Sequence, residues 1–267
     1  MFLLLQAIIM GIVEGITEFL PISSTGHLIL FGHFIGFTGS FANMFEIVIQ
    51  LGAILAVVFY YKEKILGSLS KLRPGQWGFK LWMKMFIAFL PSAILGLLLN
   101  NFIEEHLFSP LTVSIALIIG AVLMIAVEKR FFRFKYDSMD RIGSKKALLI
   151  GVAQCMSLFP GMSRSASTIM GGMMVGLSVK AAAEFSFFLA IPTMVAATGY
   201  SLIKGMTAVS AMEWLALAVG FVVSFLVAFV VVGKFLSYLT RHPLKNFAYY
   251  RLIVGILMIV LILAKVI

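Results

Sequence analysis

The chain has 267 residues, of which 61% are hydrophobic, and a mean hydropathy of +1.07. That excludes an ordinary water-soluble domain, and the long uninterrupted apolar segments point to membrane-spanning helices rather than to the alternating strands of a barrel. The formal charge of +10 does not indicate nucleic acid. Lys and Arg gather in three connections, Lys62 to Lys84, Lys129 to Lys146 and Lys234 to Arg251, which is the positive-inside pattern, and no aromatic-interleaved basic module accompanies them.

Near the start, Gly11 to His27 reads GIVEGITEFLPISSTGH. This stretch sits in an apolar run that could enter a bilayer, where each ionisable group costs roughly 2.5–3.5 kcal/mol on insertion scales, so its carboxylates and imidazole mark a candidate site. Glu14 and Glu18 are four apart and share one face of a helix, where they can bind one cation or one proton donor together. Pro21 removes a backbone donor and should end that helix. Ser23, Ser24 and Thr25 then suit the N-terminus of a second helix, whose free N–H groups would face the gap and favour an anion. No Lys or Arg precedes this first apolar run, so no cleavable signal peptide is expected.

The first apolar region, Phe2 to about Phe37, is therefore expected as two short helices forming a re-entrant hairpin. Full spans follow at about Phe41 to Tyr61, Leu81 to Leu99 and Ser109 to Glu128. A second broken region covers Ala147 to Leu177, interrupted at Pro160-Gly161. Spans at about Ala181 to Ile203, Met212 to Phe235 and Phe247 to Lys265 complete the chain. The sole cysteine, Cys155, excludes a disulfide framework and a thiolate metal cage.

The halves resemble one another. AIIMGIVEGITEF, Ala7 to Phe19, aligns without gaps on ALLIGVAQCMSLF, Ala147 to Phe159, and each is followed by a proline and a Ser-rich helix start. The span carrying Glu46 aligns with the one carrying Glu184, and the expected task of both glutamates is to anchor or hydrogen-bond the hairpins. The predicted fold is thus an all-α polytopic membrane protein forming a single integral membrane domain, with repeat 1 at about 1–130 and repeat 2 at about 146–267. Each half is one re-entrant helical hairpin plus three transmembrane helices. Three is odd, so the second copy must be inverted. If the basic connections are cytoplasmic, the first hairpin opens to the outer side, and the Asn100 to Ser109 connection, which has no Lys or Arg, also lies outside.

The second polar cluster is PGMSRSAST, Pro160 to Thr168. Ser163 can cap the following helix, and Arg164 lies in its first turn, where positive charge is unfavourable unless an anion accompanies it. A guanidinium beside free N–H groups and hydroxyls can cradle a phosphate. A purely structural alternative is that Arg164 ion-pairs with Glu18 or Glu184 to hold helices together.

EGITEFLPISSTGH with the upstream Gln6, together with PGMSRSAST, resembles the bacterial undecaprenyl-pyrophosphate phosphatases, the membrane family linked to bacitracin resistance. The resemblance covers essentially the whole chain, with one departure: Ala166 stands where that family commonly has Gly. It implies hydrolysis of undecaprenyl pyrophosphate to undecaprenyl phosphate and inorganic phosphate in the bacterial inner (plasma) membrane, recycling the lipid carrier for cell-wall synthesis at a site facing the outer side. By motif position, Glu14 and Glu18 are the acidic pair and candidate metal ligands for a divalent cation, Mg²⁺ or Ca²⁺. Ser24 and His27 are the nucleophile-and-base pair, and Ser23, Thr25, Ser163, Arg164, Ser165 and Thr168 are substrate-binding residues. The expected partners are a long-chain polyprenyl pyrophosphate lipid and the membrane, with a homodimer as a candidate assembly. His27 as direct nucleophile and the Glu pair as a metal-free base are variants of this chemistry, and a transporter or flippase of polyprenyl phosphate using the same inverted-repeat site is the alternative function.

Overall fold

Proline and serine decide where the first apolar stretch breaks. The computed structural model describes residues 2–205 and 209–267, and the side chains of these except at 104 and 202–205. Helix α1 spans Phe2–Thr17 and helix α2 spans Ser24–Phe34. Pro21 disfavours helical geometry at Leu20 as well as removing its own donor, and α1 already ends at Thr17, leaving Glu18 in the turn. At 1.5 Å per residue the two helices are about 24 and 17 Å long, short of the roughly 30 Å hydrocarbon core. Gln6 Nε2 donates to the Ile35 carbonyl at 2.8 Å and ties the start of α1 to the end of α2, closing the hairpin.

Three long helices follow, α3 (Ser40–Tyr60), α5 (Trp77–His106) and α6 (Pro110–Arg130), with the short α4 (Lys62–Leu69) between the first two. The second half repeats the order: α7 (Ser144–Gln154), a 3₁₀ turn at Cys155–Leu158, α8 (Arg164–Met174), then α9 (Val179–Gly205), α10 (Ala211–Leu239) and α11 (Lys245–Leu263). Among the described residues, α3, α5, α6, α9, α10 and α11 are the helices long and apolar enough to cross a membrane, and no strand occurs. The chain is an all-α, multi-pass membrane protein. One boundary differs from expectation: α5 continues to His106, because nothing breaks it before Ser109, which caps α6 ahead of Pro110.

Small residues bring the helices into backbone contact. A Cβ at Gly11 would lie 2.7 Å from the Gly220 carbonyl oxygen and one at Gly15 would lie 2.8 Å from that of Ser224, so α1 and α10 run in the same direction. A Cβ at Gly151 would come within 2.2 Å of the Ala88 carbonyl oxygen, seating α7 on α5 in the same way. Each half thus lays the first arm of its hairpin on the other half's middle span.

The basic connections share one end of the bundle. Lys64 pairs with Asp140 at 3.0 Å, and Lys84 reaches the carbonyls of Met139 and Asp140. Glu128, at the end of α6, accepts from the N–H groups of Leu244 and Lys245 at 2.6 and 2.7 Å. Since α10 ends at this basic face, the parallel α1 approaches it from the opposite end, whereas α7 starts beside the Lys129 to Lys146 connection. Two residues at the edges of the basic clusters are buried: Lys84 in α5 and Arg251, fully, in α11.

Gly52 sets the spacing of α3 and α10, because a Cβ there would lie 2.4 Å from the Phe221 carbonyl oxygen. Gly52→Val is expected to destabilise the protein by about 1–3 kcal/mol, the usual cost of overpacking. Thermal unfolding in detergent measures this, with Gly67→Val, which would meet nothing within 4 Å, as the neutral control.

Candidate active site

The second arms of both hairpins begin alike. Ser23 and Ser163 sit at φ 71° and 69°, a region that side-chain-bearing residues rarely adopt, and each hydroxyl accepts from the backbone N–H three residues on, at Gly26 and Ala166. Such caps satisfy one orphan donor of the helix, and their backbone strain costs on the order of 1–3 kcal/mol.

The two turns meet, and one ion pair joins them. Arg164 Nη2 lies 3.0 Å from Glu18 Oε1, and the two side chains are 11% and 5% exposed. The other oxygen of Glu18 accepts from the Ser24 hydroxyl at 2.7 Å. Arg164 Nη1 donates to the Ser186 carbonyl and hydroxyl at 3.0 and 3.1 Å, and Thr168 donates to the Ser186 hydroxyl at 2.7 Å. A polar chain therefore runs from Ser24 through Glu18, Arg164 and Ser186 to Thr168. Glu14 stands at its edge, fully buried, close enough to Glu18 and Glu46 for their charges to interact. The Glu14 carboxyl lies within hydrogen-bonding reach of the Glu18 carboxyl, no other side chain or backbone group donates to its buried oxygens, and Arg164 Nε is buried without an acceptor, among the described residues.

His27 departs from the expected pairing with Ser24. Its Nδ1 lies 2.7 Å from the Ser23 carbonyl, which can only accept, so Nδ1 carries the proton in the neutral ring and Nε2 accepts from the Tyr250 hydroxyl at 2.8 Å. The two rings stack with a 4° interplanar angle. Tyr250 turns the imidazole towards α11, and the Ser24 proton is directed to Glu18 instead.

The remaining candidates divide by what their hydroxyls already do. Ser165 donates to the Phe19 carbonyl at 2.7 Å and so bridges the two hairpins. Thr168 is fully buried and supports Ser186, so both residues help build the cradle while their own hydroxyls are engaged. Ser163 and Thr25 are half-buried at the two helix starts. Ala166 places its methyl in the apolar core and gives its N–H to Ser163, so the extra carbon stays out of the gap. Glu184 does not pair with Arg164; its electrostatic neighbours include Lys64 and Lys180. Sequence reasoning missed Ser186, Tyr250 and the buried role of Arg251. The aromatic-basic pair Tyr250-Arg251 inside an apolar run was the available signal for two of them.

Beside His27, Tyr250 also lines an apolar cavity of about 560 Å³. Leu20 and Ile22 of the first turn, Phe235 and Tyr238 of α10 and Phe247 of α11 form its walls.

A family model described as bacitracin resistance protein BacA matches residues 7–257. A relative from Thermoanaerobacter sp. (strain X514), named undecaprenyl-diphosphatase, is 70% identical over 266 residues, covering 99% of each chain. Relatives of the same name from Clostridium tetani and Acinetobacter baumannii (strain ATCC 17978) are 48% and 46% identical, covering 100% and 97% of this chain and 99% and 96% of their own.

Tyr250→Phe keeps the ring stack and removes the one donor to His27 Nε2. Misplacing His27 should lower turnover roughly tenfold, about 1.4 kcal/mol of transition-state stabilisation, and the lost hydrogen bond should cost about 0.5–1.5 kcal/mol of stability. Steady-state kinetics beside a melting curve checks both.

Proposed function

The chain belongs to the bacitracin resistance protein BacA family, and from that premise we infer that it is an undecaprenyl-diphosphatase, an enzyme that hydrolyses undecaprenyl pyrophosphate to undecaprenyl phosphate and inorganic phosphate. The observation that carries the residue-level reading is the buried polar chain Ser24–Glu18–Arg164, with the Glu14 carboxyl beside Glu18.

Arg164 and the uncapped N–H groups at the starts of α2 and α8 grip the diphosphate, whose charge is spread over oxygens that a fork and a helix end both suit. Ser24 Oγ forms a bond to the terminal phosphorus as the bond from that phosphorus to the bridging oxygen breaks. The Ser24 proton passes to Glu18, and undecaprenyl phosphate departs. Water then attacks the phosphoserine phosphorus, the bond from phosphorus to Ser24 Oγ breaks, Glu18 returns its proton to that oxygen, and inorganic phosphate leaves with the protons of the water. His27, oriented by Ser23 and Tyr250, sits where it can donate or accept a proton at the departing group or the incoming water.

Glu14 and Glu18, two buried carboxyls side by side, would hold a divalent cation between them. Among the described residues no group of three or more His, Cys, Asp or Glu side chains converges. That donor set suits Mg²⁺, commonly held by one or two carboxylates together with substrate phosphates, better than Ca²⁺, which takes six to eight oxygens. When bound, the cation supplies charge neutralisation at the phosphate oxygens.

The isoprenoid tail occupies the apolar cavity beside Tyr250, which adjoins the site through the Tyr250–His27 bond. The halves are read as inverted repeats in the plasma membrane, with the basic face cytoplasmic and the first hairpin entered from outside. The shared basic end of the bundle and the parallel course of α1 and α10 support that orientation.

Phosphate release from a long-chain prenyl pyrophosphate by purified protein tests the reading. Glu18→Gln and Arg164→Ala should each lose on the order of 100-fold in turnover, as when a transition-state charge contact is removed, and chelation should abolish the wild-type rate. Near-wild-type rates in both variants would refute the residue assignment. Lipid movement without hydrolysis by the parent protein would favour the carrier reading.

A further inference from the structure

Arg251 is a fully buried cation with no carboxylate partner among the described residues. Its guanidinium instead donates to five backbone carbonyls. Nη1 reaches Met162 at 3.0 Å and Pro21 at 3.4 Å, Nη2 reaches Gly161 at 3.0 Å and Ala116 at 3.3 Å, and Nε reaches Leu117 at 3.3 Å. Pro21 belongs to the first hairpin turn and Gly161 and Met162 to the second, so one side chain from α11 holds both breaks and fastens them to α6. Space for it is made by Gly120, where a Cβ would lie 2.1 Å from Nη2.

An isolated buried charge is expensive, and a planar fork is the side chain best suited to fixed acceptors in several directions. The return for that cost lies in the peptide planes. In a trans peptide the carbonyl and the following N–H point in opposite directions, so a Met162 carbonyl turned to Arg251 turns the Ser163 N–H away from it. No backbone acceptor takes that N–H among the described residues. The residues that Arg251 grips also lead directly into Ser23 and Ser163, the two caps held at unfavourable positive φ. Such strain persists only where the surroundings over-determine the backbone.

We propose that Arg251 is a positioning residue: it fixes the two hairpin turns relative to each other and so aims the helix-start N–H groups, above all that of Ser163, at the substrate phosphate. This rests on the phosphatase reading for its kinetic consequence, but the clamp itself is measurable without it.

Two variants test it. Arg251→Lys keeps the charge but offers donors from a single atom, which cannot span carbonyls on both turns. Gly120→Ala leaves Arg251 in place and displaces its guanidinium. Both should still fold, with a modestly lower unfolding temperature, and kcat per folded molecule should fall on the order of 100-fold, the scale expected when reacting groups are misplaced by about 1 Å, with a much smaller change in KM. Deuterium uptake should rise in peptides covering residues 18–26 and 159–167 and not elsewhere. Wild-type kcat per folded molecule in both variants, or unchanged uptake at the turns, would overturn the proposal. Uptake rising throughout the molecule rather than at the two turns would overturn it too, making Arg251 a general strut. If Arg251→Lys does not fold, Gly120→Ala decides. A wild-type protein that releases no phosphate would refute the proposed activity, and exchange at the turns would still decide the clamp.

Discussion

The molecule depends on a desolvated ion pair between two chain breaks. Glu18 and Arg164 come from turns 146 residues apart and meet at 3.0 Å. Taking such charges out of water is repaid only when the remaining donors and acceptors are also used. Here the second oxygen of Glu18 is taken by Ser24 and Arg164 Nη1 by Ser186, so the pair is held in one geometry from both sides. Glu14 is buried against the Glu18 carboxyl with no other donor, and Arg164 Nε has no acceptor, among the described residues.

Close helix packing makes that meeting place. Neither hairpin is long enough to cross the bilayer, so each depends on the other half for support. Gly11 and Gly15 let α1 lie directly on α10, and Gly151 does the same for α7 on α5. In hydrocarbon there is little hydrophobic drive between helices, and backbone approach through small residues supplies van der Waals contact instead. Arg251 then locks the turns from the α11 side.

Much of this was legible in the residues because it is local. Prolines, apolar run lengths and serine caps act within a few residues, so both breaks, all six spans and the capping role of Ser163 could be read directly, as could the shared face of Glu14 and Glu18. The structural alternative for Arg164, an ion pair with Glu18, is realised, and its Nε is left buried without an acceptor among the described residues. Tertiary choices were not legible. Ser24 and His27 are neighbours on one helical turn, yet Glu18 takes the first and Tyr250 the second, because α2 is wedged between the turn and α11. Arg251 adjoins a basic connection and reads as one more positive-inside residue until its burial is known. Ser186 looks like any small residue in an apolar span.

A double-mutant cycle across the two turns measures the central interaction directly. Unfolding in detergent would be followed for Glu18→Gln, Arg164→Met and the double variant. Each single change should cost about 3–5 kcal/mol by stranding a buried partner, and the double should cost clearly less than their sum. Strict additivity would mean that the two turns are held together by something else, and the shared site would lose its physical basis.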